Sequence, residues 1–466
     1  MRSQSIRLFI LVLTFTLTAA LVLNAQEKIR DRREWIDKST PTTDDPRRIP
    51  TSPAPKGPEI TRVLKGGRVF DGTGAPAVEA TLVIERNKIK AILPPESTDW
   101  PADAEVIDVS GMTVMPGMID LHTHVSYWWM ESSLQGYTSK AEAALRGVDA
   151  CRYYIESGIT SVRDLAGPGD AIFWLKEWSS LNRIPAPRIF PSGRLIIATG
   201  GHGSEGFEAD SQFLGDKRVA DGPDEWREAV REQFNLGADV IKTGSHFSRE
   251  EIAAAVDEAH SLGLKVACDA ETYYIQWAVE AGVDTIEHPL PRADETIRLM
   301  AEKGTQAVPT LVPYIYIFDG EGGYFGSASR RFTFSKEANL ELLRKMKEAG
   351  VKMGIGTDLV LGWYRYLPQA YITELEQYVA VGYTIPEVLS IATKTSAEIL
   401  DMDDKLGTLE PGKLADVLVV RGKPDGNLDD LKNVEMVLRD GYVVVKEGRV
   451  FIPRHVQLDP PEPKEK

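Results

Sequence analysis

Eight short apolar runs alternate with amphipathic, helix-like segments between residues 113 and 358. The runs have the length of strands, and the segments after them, such as residues 250–263, carry apolar residues at helical spacing. Because a helix returns the chain to the same edge of a sheet, this order predicts parallel strands. Eight units within about 245 residues match the size of an eightfold β/α barrel of the TIM type. A doubly wound open sheet is the alternative, but no Gly-rich phosphate loop follows the first run.

In a β/α barrel, catalytic and binding groups lie at the carboxyl ends of the strands. The predicted strands occupy residues 113–122, 160–166, 188–196, 239–244, 265–270, 284–288, 306–312 and 352–358. Five of the six histidines in this region lie at or just beyond such ends, and His260 is the exception. The strand ends therefore predict one site that is built from several strands.

Shorter, turn-rich β segments flank the predicted barrel on both sides. They contain strand-like runs broken by Gly-rich turns, but neither has enough apolar residues for a core of its own. We expect them to pair as one small β-sandwich domain, which brings the two ends of the chain together. The predicted organisation is a signal peptide at 1–25, a Pro-rich linker at 26–60, β-sandwich parts at 61–113 and 403–453, the barrel at 114–402 and a disordered tail at 454–466.

The amino terminus has the pattern of a signal peptide. Arg2 and Arg7 precede an apolar run from Leu8, and small residues end at Ala25, where cleavage is expected. The alternative is an uncleaved membrane anchor, since the apolar run is mildly long. The pattern predicts an exported protein, periplasmic or secreted, without stable membrane insertion once the signal is removed.

The charge of the chain weighs against nucleic acid as a partner. There are 54 basic and 69 acidic residues, a formal net charge of −15, and no long basic run. The two cysteines, Cys151 and Cys268, lie in apolar contexts and are too few for a disulfide framework, so buried thiols are expected. The expected partner is a small molecule or a short peptide, and a homo-oligomer stays open.

The first predicted strand ends in the sequence DLHTHV, with His122 and His124 two residues apart. Residues i and i+2 of a strand point to the same side, so both imidazoles are expected to converge on one metal ion. With that pair in place, His288 at the end of the sixth strand is expected to be a further ligand. Asp358 at the end of the eighth strand is expected to be a catalytic acid beside the metal, or else the N-cap of the next helix.

Lys242 closes the fourth apolar strand, among these candidate ligands. An ammonium group cannot coordinate a cation because it has no lone pair. If the amine takes up carbon dioxide, it becomes a carbamate, an anionic oxygen ligand that can bridge two cations. The alternative is a plain ion pair between Lys242 and Asp269 or Glu271.

Several motifs occur together between residues 61 and 450: GGRVFDGTG, PGMIDLHTHV, TSVRDL, TGGHG, DVIK, AGVDTIEHP, GTD and LGTLEPGKLADVLVV. This set resembles the metal-dependent amidohydrolase superfamily, and most of all its imidazolonepropionase and Xaa-Pro dipeptidase-like members. The resemblance implies the barrel and the β-sandwich built from both chain ends. It also implies that Asp358 is a proton shuttle and that His202 binds substrate. The metal ligands that it implies are His122, His124, His288, a carboxylated Lys242 and Asp358.

The implied reaction is metal-assisted hydrolysis of a carbon–nitrogen bond in an amide or peptide-like substrate. One or two divalent ions activate water, and Asp358 accepts its proton and returns it to the leaving amine. Zinc is the favoured ion, with manganese and iron left open. Two other functions stay open: an exported binding protein on a degenerate metal barrel, with little or no catalysis, and a lactone or phosphoester hydrolase.

One position departs from the pattern of the family. Most relatives carry a histidine followed by an alanine at the end of the fifth strand, where this chain has Asp269 and Ala270. Asp269 is expected first of all to be an oxygen ligand of the second metal. Two alternatives stay open. Asp269 could pair with an uncarboxylated Lys242 in a site with one metal, or the site could bind its ligand without turnover.

The candidates for binding substrate are His202, His246, Glu271 and Trp128. His246 lies four residues beyond Lys242, so it either leans over the site in place of the missing imidazole or faces solvent. If the fifth strand continues, Glu271 shares the face of Asp269, and there it favours a cationic or amine-bearing substrate unless an arginine pairs with it. Trp128, in the loop after the first strand, either walls a pocket or packs that loop onto the barrel.

Overall fold

The computed structural model describes residues 57–126, 139–204, 215–321, 335–360 and 362–451. The predicted signal peptide and tail fall outside these ranges. Seven strands precede the predicted barrel: β1 (Thr61–Lys65), β2 (Arg68–Val69), β3 (Val78–Glu79), β4 (Thr81–Glu85), β5 (Lys88–Leu93), β6 (Glu105–Asp108) and β7 (Met112–Pro116).

The central region alternates strands and helices, as the sequence pattern predicts. Its elements are β8 (Met118–Thr123), α1 (Lys140–Glu156), β9 (Ile159–Asp164), α2 (Ala171–Ser180), β10 (Arg188–Pro191), β11 (Leu195–Ile197), β12 (Lys217–Val219), α3 (Pro223–Leu236), β13 (Val240–Gly244), α4 (Arg249–Ser261), β14 (Lys265–Asp269), α5 (Tyr273–Ala281), β15 (Thr285–Glu287), α6 (Asp294–Lys303), β16 (Gln306–Val308), α7 (Leu311–Glu321) and α8 (Lys336–Glu348). Within the ranges that the structure describes, no helix combines the length and the apolar character needed to cross a bilayer.

Helices and then strands complete the described chain. They are a 3-10 helix (Trp363–Tyr366), α9 (Gln369–Ala380), α10 (Ile385–Ser390), a π-helical turn (Ile391–Thr395), α11 (Ser396–Ile399), β17 (Val417–Arg421), a second 3-10 helix (Leu428–Lys432), β18 (Val434–Arg439), β19 (Tyr442–Lys446) and β20 (Arg449–Val450). The final strands return to the sheet that β7 belongs to, so the last described strands lie beside the first ones.

The central strands form two parallel sheets, in the orders β10–β9–β8 and β12–β11–β13–β14–β15–β16. Backbone hydrogen bonds connect the sheets at two places. Asp239 N, next to β13, donates to Pro191 O of β10 at 2.9 Å. The run 352–358 lies between β8 and β16, since Leu121 N donates to Ile355 O at 2.8 Å and Gly354 N donates to Ala307 O at 2.9 Å. Apolar side chains of these strands and of the helices around them form the largest buried cluster of the described residues.

Four of the predicted strands differ from the structure. The first run, 113–122, is divided into β7, which belongs to the sheet domain, and β8. The seventh run, 306–312, ends at Val308, because α7 begins at Leu311.

The third run, 188–196, is divided into β10 and β11 by a turn at Gly193, which has a φ of +73°. The eighth run, 352–358, makes a single parallel bridge, between Met353 and Ala307, instead of a longer strand. A Cβ at Gly356 would lie 2.8 Å from the Cβ of His122. This run therefore lies against β8 at a distance that only glycine permits.

Strands from both ends of the described chain form a separate sheet domain. One sheet has the order β5–β4–β1–β6, and the other has the order β20–β19–β18–β17–β7–β2–β3. In the larger sheet, β7 and β17 are antiparallel, with Met115 opposite Leu418. A second buried apolar cluster joins the two sheets and includes Leu64, Leu82, Val114, Val417 and Leu438.

Local sequence signals fix the start of α4. Ser248 Oγ accepts a hydrogen bond from Glu251 N at 3.1 Å, and the Glu251 carboxylate accepts one from Ser248 N at 2.6 Å. This is the capping box that the SREE sequence predicts. It ends the loop after β13 within a few residues, so the loop that carries His246 is short.

Both cysteines are free thiols in buried positions, as the sequence predicts. Burial raises the pKa of the Cys268 thiol to about 12. A thiol with so high a pKa stays protonated at neutral pH and is a poor nucleophile. Cys268 precedes Asp269 on β14 and has a packing role there.

Arg188, at the start of β10, connects the central region to the sheet domain. Its guanidinium donates to both carboxylate oxygens of Asp416, at 2.7 and 3.0 Å, and lies 2.5 Å from Asp440 Oδ1. We expect Arg188→Met to lower the free energy of unfolding by about 3–5 kcal/mol, because the buried carboxylate of Asp416 loses its cation and that of Asp440 keeps only Arg439, at 4.0 Å. Denaturant unfolding followed by circular dichroism measures the change.

Arg421→Met is the matched control for this variant. Arg421 pairs with Glu435 at 2.7 Å, but its side chain is 60% exposed. Exposed ion pairs contribute little, so a loss below about 1 kcal/mol is expected. Equal destabilisation by the two variants would contradict the role given to Arg188.

Candidate metal centre

His122 and His124 lie together at the carboxyl end of β8, as their i, i+2 spacing predicts, with ring centroids 5.3 Å apart. Asp358 contacts both. Its Oδ1 is 3.0 Å from His124 Nε2 and 3.7 Å from His122 Nε2. One donor atom from each of the three residues lies within 4.8 Å of the others. Two imidazoles and a carboxylate this close form a donor set that suits a divalent transition metal.

Backbone hydrogen bonds to β8 position Asp358. Its N–H donates to His122 O at 2.7 Å, and the preceding Thr357 donates through N and Oγ1 to Asp120 at 3.0 and 2.5 Å. Asp358 has a φ of +46°, a left-handed conformation that is unfavourable for a residue other than glycine. The next helical turn begins only at Trp363. Asp358 therefore does not cap a helix, and its carboxylate faces the two histidines.

His288 and Asp269 extend the cluster to β15 and β14. His288 Nε2 is 3.5 Å from Asp269 Oδ2, and the His288 ring centroid lies 4.7 Å from that of His122. The other ring nitrogen of His288, Nδ1, lies 2.8 Å from Thr310 Oγ1. His202 Nε2 is 3.4 Å from the same oxygen of Asp269. Asp269 thus lies between two imidazoles, and His288 connects it to the first three donors, since His288 Nδ1 is 3.8 Å from Asp358 Oδ2.

Lys242 is buried on β13, with 2% of its surface exposed. Among the residues that the structure describes, none makes a hydrogen bond with its Nζ. A hydrogen-bonded ion pair from Lys242 to Asp269 or Glu271 is therefore not observed. Burying an ammonium group without an acceptor costs several kcal/mol, by order of magnitude.

A charged layer lies behind His122, and the sequence motifs did not assign it a role. Glu287 Oε2 is 2.8 Å from His122 Nδ1, and Arg163 Nη2 donates to Glu287 Oε1 at 2.8 Å. Asp120 accepts the His122 N–H at 3.1 Å. The sequence did contain a signal for these residues, because each is a charged residue within an apolar strand. Asp120 lies in β8, Arg163 in β9 and Glu287 in β15. Such residues are costly to bury unless they have partners.

Burial changes the acidity of two groups in this layer. It raises the pKa of Asp120 to about 7, although the hydrogen bonds from Thr357 and from the His122 N–H lower that pKa. Burial, and then the charge of Lys242, holds the pKa of His122 well below its usual range. The His122 imidazole is therefore neutral at neutral pH, and the neutral imidazole is the form that binds metals.

The predicted substrate-binding residues lie in two places. His202 contacts Asp269 and is 30% exposed, at the edge of the donor cluster. His246 is 42% exposed, and its Nε2 lies 3.0 Å from Glu271 Oε1. The ring of Tyr274 flanks His246 at 5.1 Å. Trp128 falls outside the described residues.

Comparison with known proteins identifies the family to which this arrangement belongs. The Amidohydrolase family matches residues 113–446, a span that includes every candidate ligand. The chain is 28% identical over 410 residues to ochratoxinase of Aspergillus niger, covering 79% of this chain and 82% of that protein. It is 27% identical over 425 residues to imidazolonepropionase of Geobacillus kaustophilus, covering 79% and 91%.

A solved structure gives the same result. A prolidase in complex with N-methylphosphonate-L-proline is 32% identical with a TM-score of 0.74, covering 83% of this chain and 100% of that one. The resemblance in the sequence motifs is confirmed, since the relatives include an imidazolonepropionase and a prolidase. The chain therefore belongs to the amidohydrolase family and is a hydrolase of carbon–nitrogen bonds.

Proposed function

We propose that this hydrolase is metal-dependent and cleaves an amide or peptide-like bond. The cluster of His122, His124 and Asp358 carries the proposal, because three donor atoms within 4.8 Å fit one divalent ion. A bound divalent ion supplies a water nucleophile activated near neutral pH and polarises the scissile carbonyl. Zinc is the favoured ion, with manganese and iron as alternatives. The residues that would hold a second ion are Lys242 as a carbamate, Asp269 and His288.

Asp358 is the residue to which we assign the proton transfers. Its carboxylate accepts the proton of the attacking water and then donates it to the leaving nitrogen, so that a neutral amine departs. The side chain is 15% exposed, so substrate and water reach it from the open side of the site. The bond from its own N–H to His122 O keeps the carboxylate in place during both transfers.

Asp269 is assigned as an oxygen ligand of the second ion. Its Oδ2 lies 3.5 Å from His288 Nε2, the nitrogen left available by the contact of Nδ1 with Thr310. Carboxylates are competent ligands of zinc and suit harder ions such as manganese. A second cation also offsets the burial of an extra negative charge.

We further propose that the central strands close into an eightfold barrel with the small β-sandwich beside it. Two observations support closure. Asp239, next to β13, bonds to Pro191 of β10, and the run 352–358 bonds to β8 through Ile355 and to β16 through Gly354. A barrel would gather all the candidate ligands at one face, at the carboxyl ends of the strands.

The proposed substrate is a dipeptide or another peptide-like amide. Relatives that are named as a prolidase and as an ochratoxinase support this class. Glu271 adds a buried carboxylate just beyond β14, and it favours a substrate with a cationic or amine-bearing part. His246 contacts Glu271 and is flanked by the ring of Tyr274, so these two side chains are the candidates to contact that part of the substrate.

A substrate panel with controlled metal content tests the proposal. We expect chelation to abolish hydrolysis and zinc or manganese to restore it, with free dipeptides turned over faster than N-terminally blocked ones. Elemental analysis of protein grown with either metal is expected to give at least one equivalent. Less than one equivalent would favour a binding protein, and preference for a lactone or a phosphotriester over every amide would favour the other hydrolase reactions.

Export is proposed from the first 25 residues alone, which lie outside the described part of the chain. The observation that supports it is the order of Arg2, Arg7, the apolar run and Ala25. A mature protein that begins at Gln26 in amino-terminal sequencing would match the proposal, and an intact Met1 in the membrane fraction would match an anchor.

A further inference from the structure

Three strands meet behind His122 in a buried network of hydrogen bonds. Glu287, at the end of β15, is 0% exposed. Its Oε2 lies 2.8 Å from His122 Nδ1, and its Oε1 accepts from Arg163 Nη2 at 2.8 Å and from Thr285 Oγ1 at 2.6 Å. Arg163 also donates through Nε to Leu121 O at 2.6 Å. Both oxygens of the Glu287 carboxylate are therefore engaged, one of them by an imidazole of the candidate metal centre.

We propose that Glu287 and Arg163 are positioning residues that fix the tautomer of His122. An ionised carboxylate only accepts hydrogen bonds, so the proton of the neutral imidazole lies on Nδ1 and the lone pair lies on Nε2. Nε2 is the nitrogen that faces Asp358 Oδ1, at 3.7 Å. The inference rests on the proposed function, because it assigns that lone pair to metal binding.

Arg163 binds Glu287 and holds it in register with β8. A guanidinium is charged at every pH of interest, so the carboxylate opposite it has a permanent partner. The bond from Arg163 Nε to Leu121 O holds the backbone of the residue that precedes His122. One side chain thus fixes both the hydrogen-bond acceptor of the imidazole and the strand from which the imidazole projects.

A role in stability alone is the competing explanation for this buried pair. It predicts that substitution changes the free energy of unfolding and leaves His122 unaltered. The positioning role predicts a change at His122 itself, in the position of its proton and in its affinity for metal. These readouts separate the two explanations without a measurement of activity.

The test uses Glu287→Gln in the full chain. Glutamine keeps the size of the side chain, but its amide N–H can donate to Nδ1 and so permit the other tautomer. We expect the affinity for Zn²⁺ or Co²⁺, measured by competition with a chelator, to fall by about 10–100-fold. We also expect the long-range ¹H–¹⁵N spectrum of His122 in metal-free protein to change from the Nδ1–H pattern toward the Nε2–H pattern.

Asp416→Asn is the matched control. Asp416 is a buried carboxylate that pairs with an arginine, Arg188. It lies near the opposite end of β8 from His122, where its backbone carbonyl accepts a hydrogen bond from Gly117 N. This variant is expected to leave the metal affinity and the His122 tautomer as they are in the unmodified protein.

Two results overturn the proposal. One is unchanged metal affinity in folded Glu287→Gln protein, and the other is an Nε2–H tautomer of His122 in the unmodified metal-free protein. The second measurement needs no variant, so it decides the matter even if Glu287→Gln does not fold. Because the tautomer is measured without metal, a protein that binds no metal would refute the proposed function separately.

Discussion

Replacing Asp358 by asparagine is expected to lower kcat on an amide substrate by about 10²–10⁴-fold. The amide of asparagine cannot take the proton of the attacking water, and it cannot pass a proton to the leaving nitrogen. Its oxygen lies where Oδ1 now contacts His124 Nε2, at 3.0 Å, so the shape of the site is kept. Steady-state kinetics of metal-loaded protein measures the loss, and elemental analysis of the same samples shows how much metal is bound.

The leaving group separates the two roles of Asp358, as ligand and as proton shuttle. An electron-poor anilide departs with little protonation of its nitrogen, whereas an alkyl amide requires a full proton transfer. If proton donation is lost, Asp358→Asn slows the alkyl amide far more than the anilide. Equal losses on both substrates would contradict proton donation to the leaving nitrogen, and activity at the level of the unmodified enzyme would contradict both roles.

Asp425→Asn is the control for this experiment. Asp425 pairs with Arg68 at 2.7 Å in the sheet domain, and its side chain is 6% exposed. The substitution removes a carboxylate of similar burial but leaves the candidate metal centre untouched. We expect kcat to stay at the level of the unmodified enzyme.

The pairing of His122 with His124 could be predicted because it depends only on the geometry of one strand. Side chains at i and i+2 share a face wherever the strand lies in the fold. The grouping of Asp269, His288 and Asp358 could also be predicted, because binding groups in such folds lie at the carboxyl ends of the parallel strands. The alternation of strand and helix was equally local and was found along the central region.

The contacts behind the metal centre could not be predicted, because they depend on register between strands that are far apart in sequence. Glu287 and His122 are 165 residues apart, and Arg163 and Glu287 are 124 apart. The conformations of His288 and Asp358 were also inaccessible, since both have positive φ values that surrounding structure must impose. The contact of His246 with Glu271 likewise depends on the path of the loop after β13.

Replacing Lys242 by methionine is expected to remove one metal ion and to lower kcat/KM by roughly 10³-fold, or about 4 kcal/mol. Methionine fills a similar volume but has no amine, so it cannot form a carbamate. Elemental analysis is expected to fall from two equivalents to one, with His122, His124 and Asp358 holding the ion that remains. Two equivalents in the variant would contradict a carbamate ligand at this position.

The same variant is expected to have opposite effects on stability with and without metal. In metal-free protein it removes a buried ammonium whose Nζ has no hydrogen-bond partner among the described residues. Replacing a buried charge by an apolar side chain of similar volume can stabilise a fold by about 1–4 kcal/mol. With metal present the order reverses, because only the unmodified protein gains the binding energy of the second ion. Denaturant unfolding in chelator and in zinc measures both differences.

Carbon dioxide distinguishes the carbamate from an ion pair. The amine of Lys242 forms a nitrogen–carbon bond to carbon dioxide and releases a proton to solvent, so metal uptake from depleted buffer is expected to rise when bicarbonate is added. Lys265→Met is the matched control, because Lys265 lies at the other end of β14 with its Nζ 2.6 Å from Asp401. It should keep the bicarbonate response, and Lys242→Met should lose it. If bicarbonate does not change metal uptake by the unmodified protein, Lys242 has a free amine. That result would favour a site with a single ion, in which Asp269 is the partner of the amine.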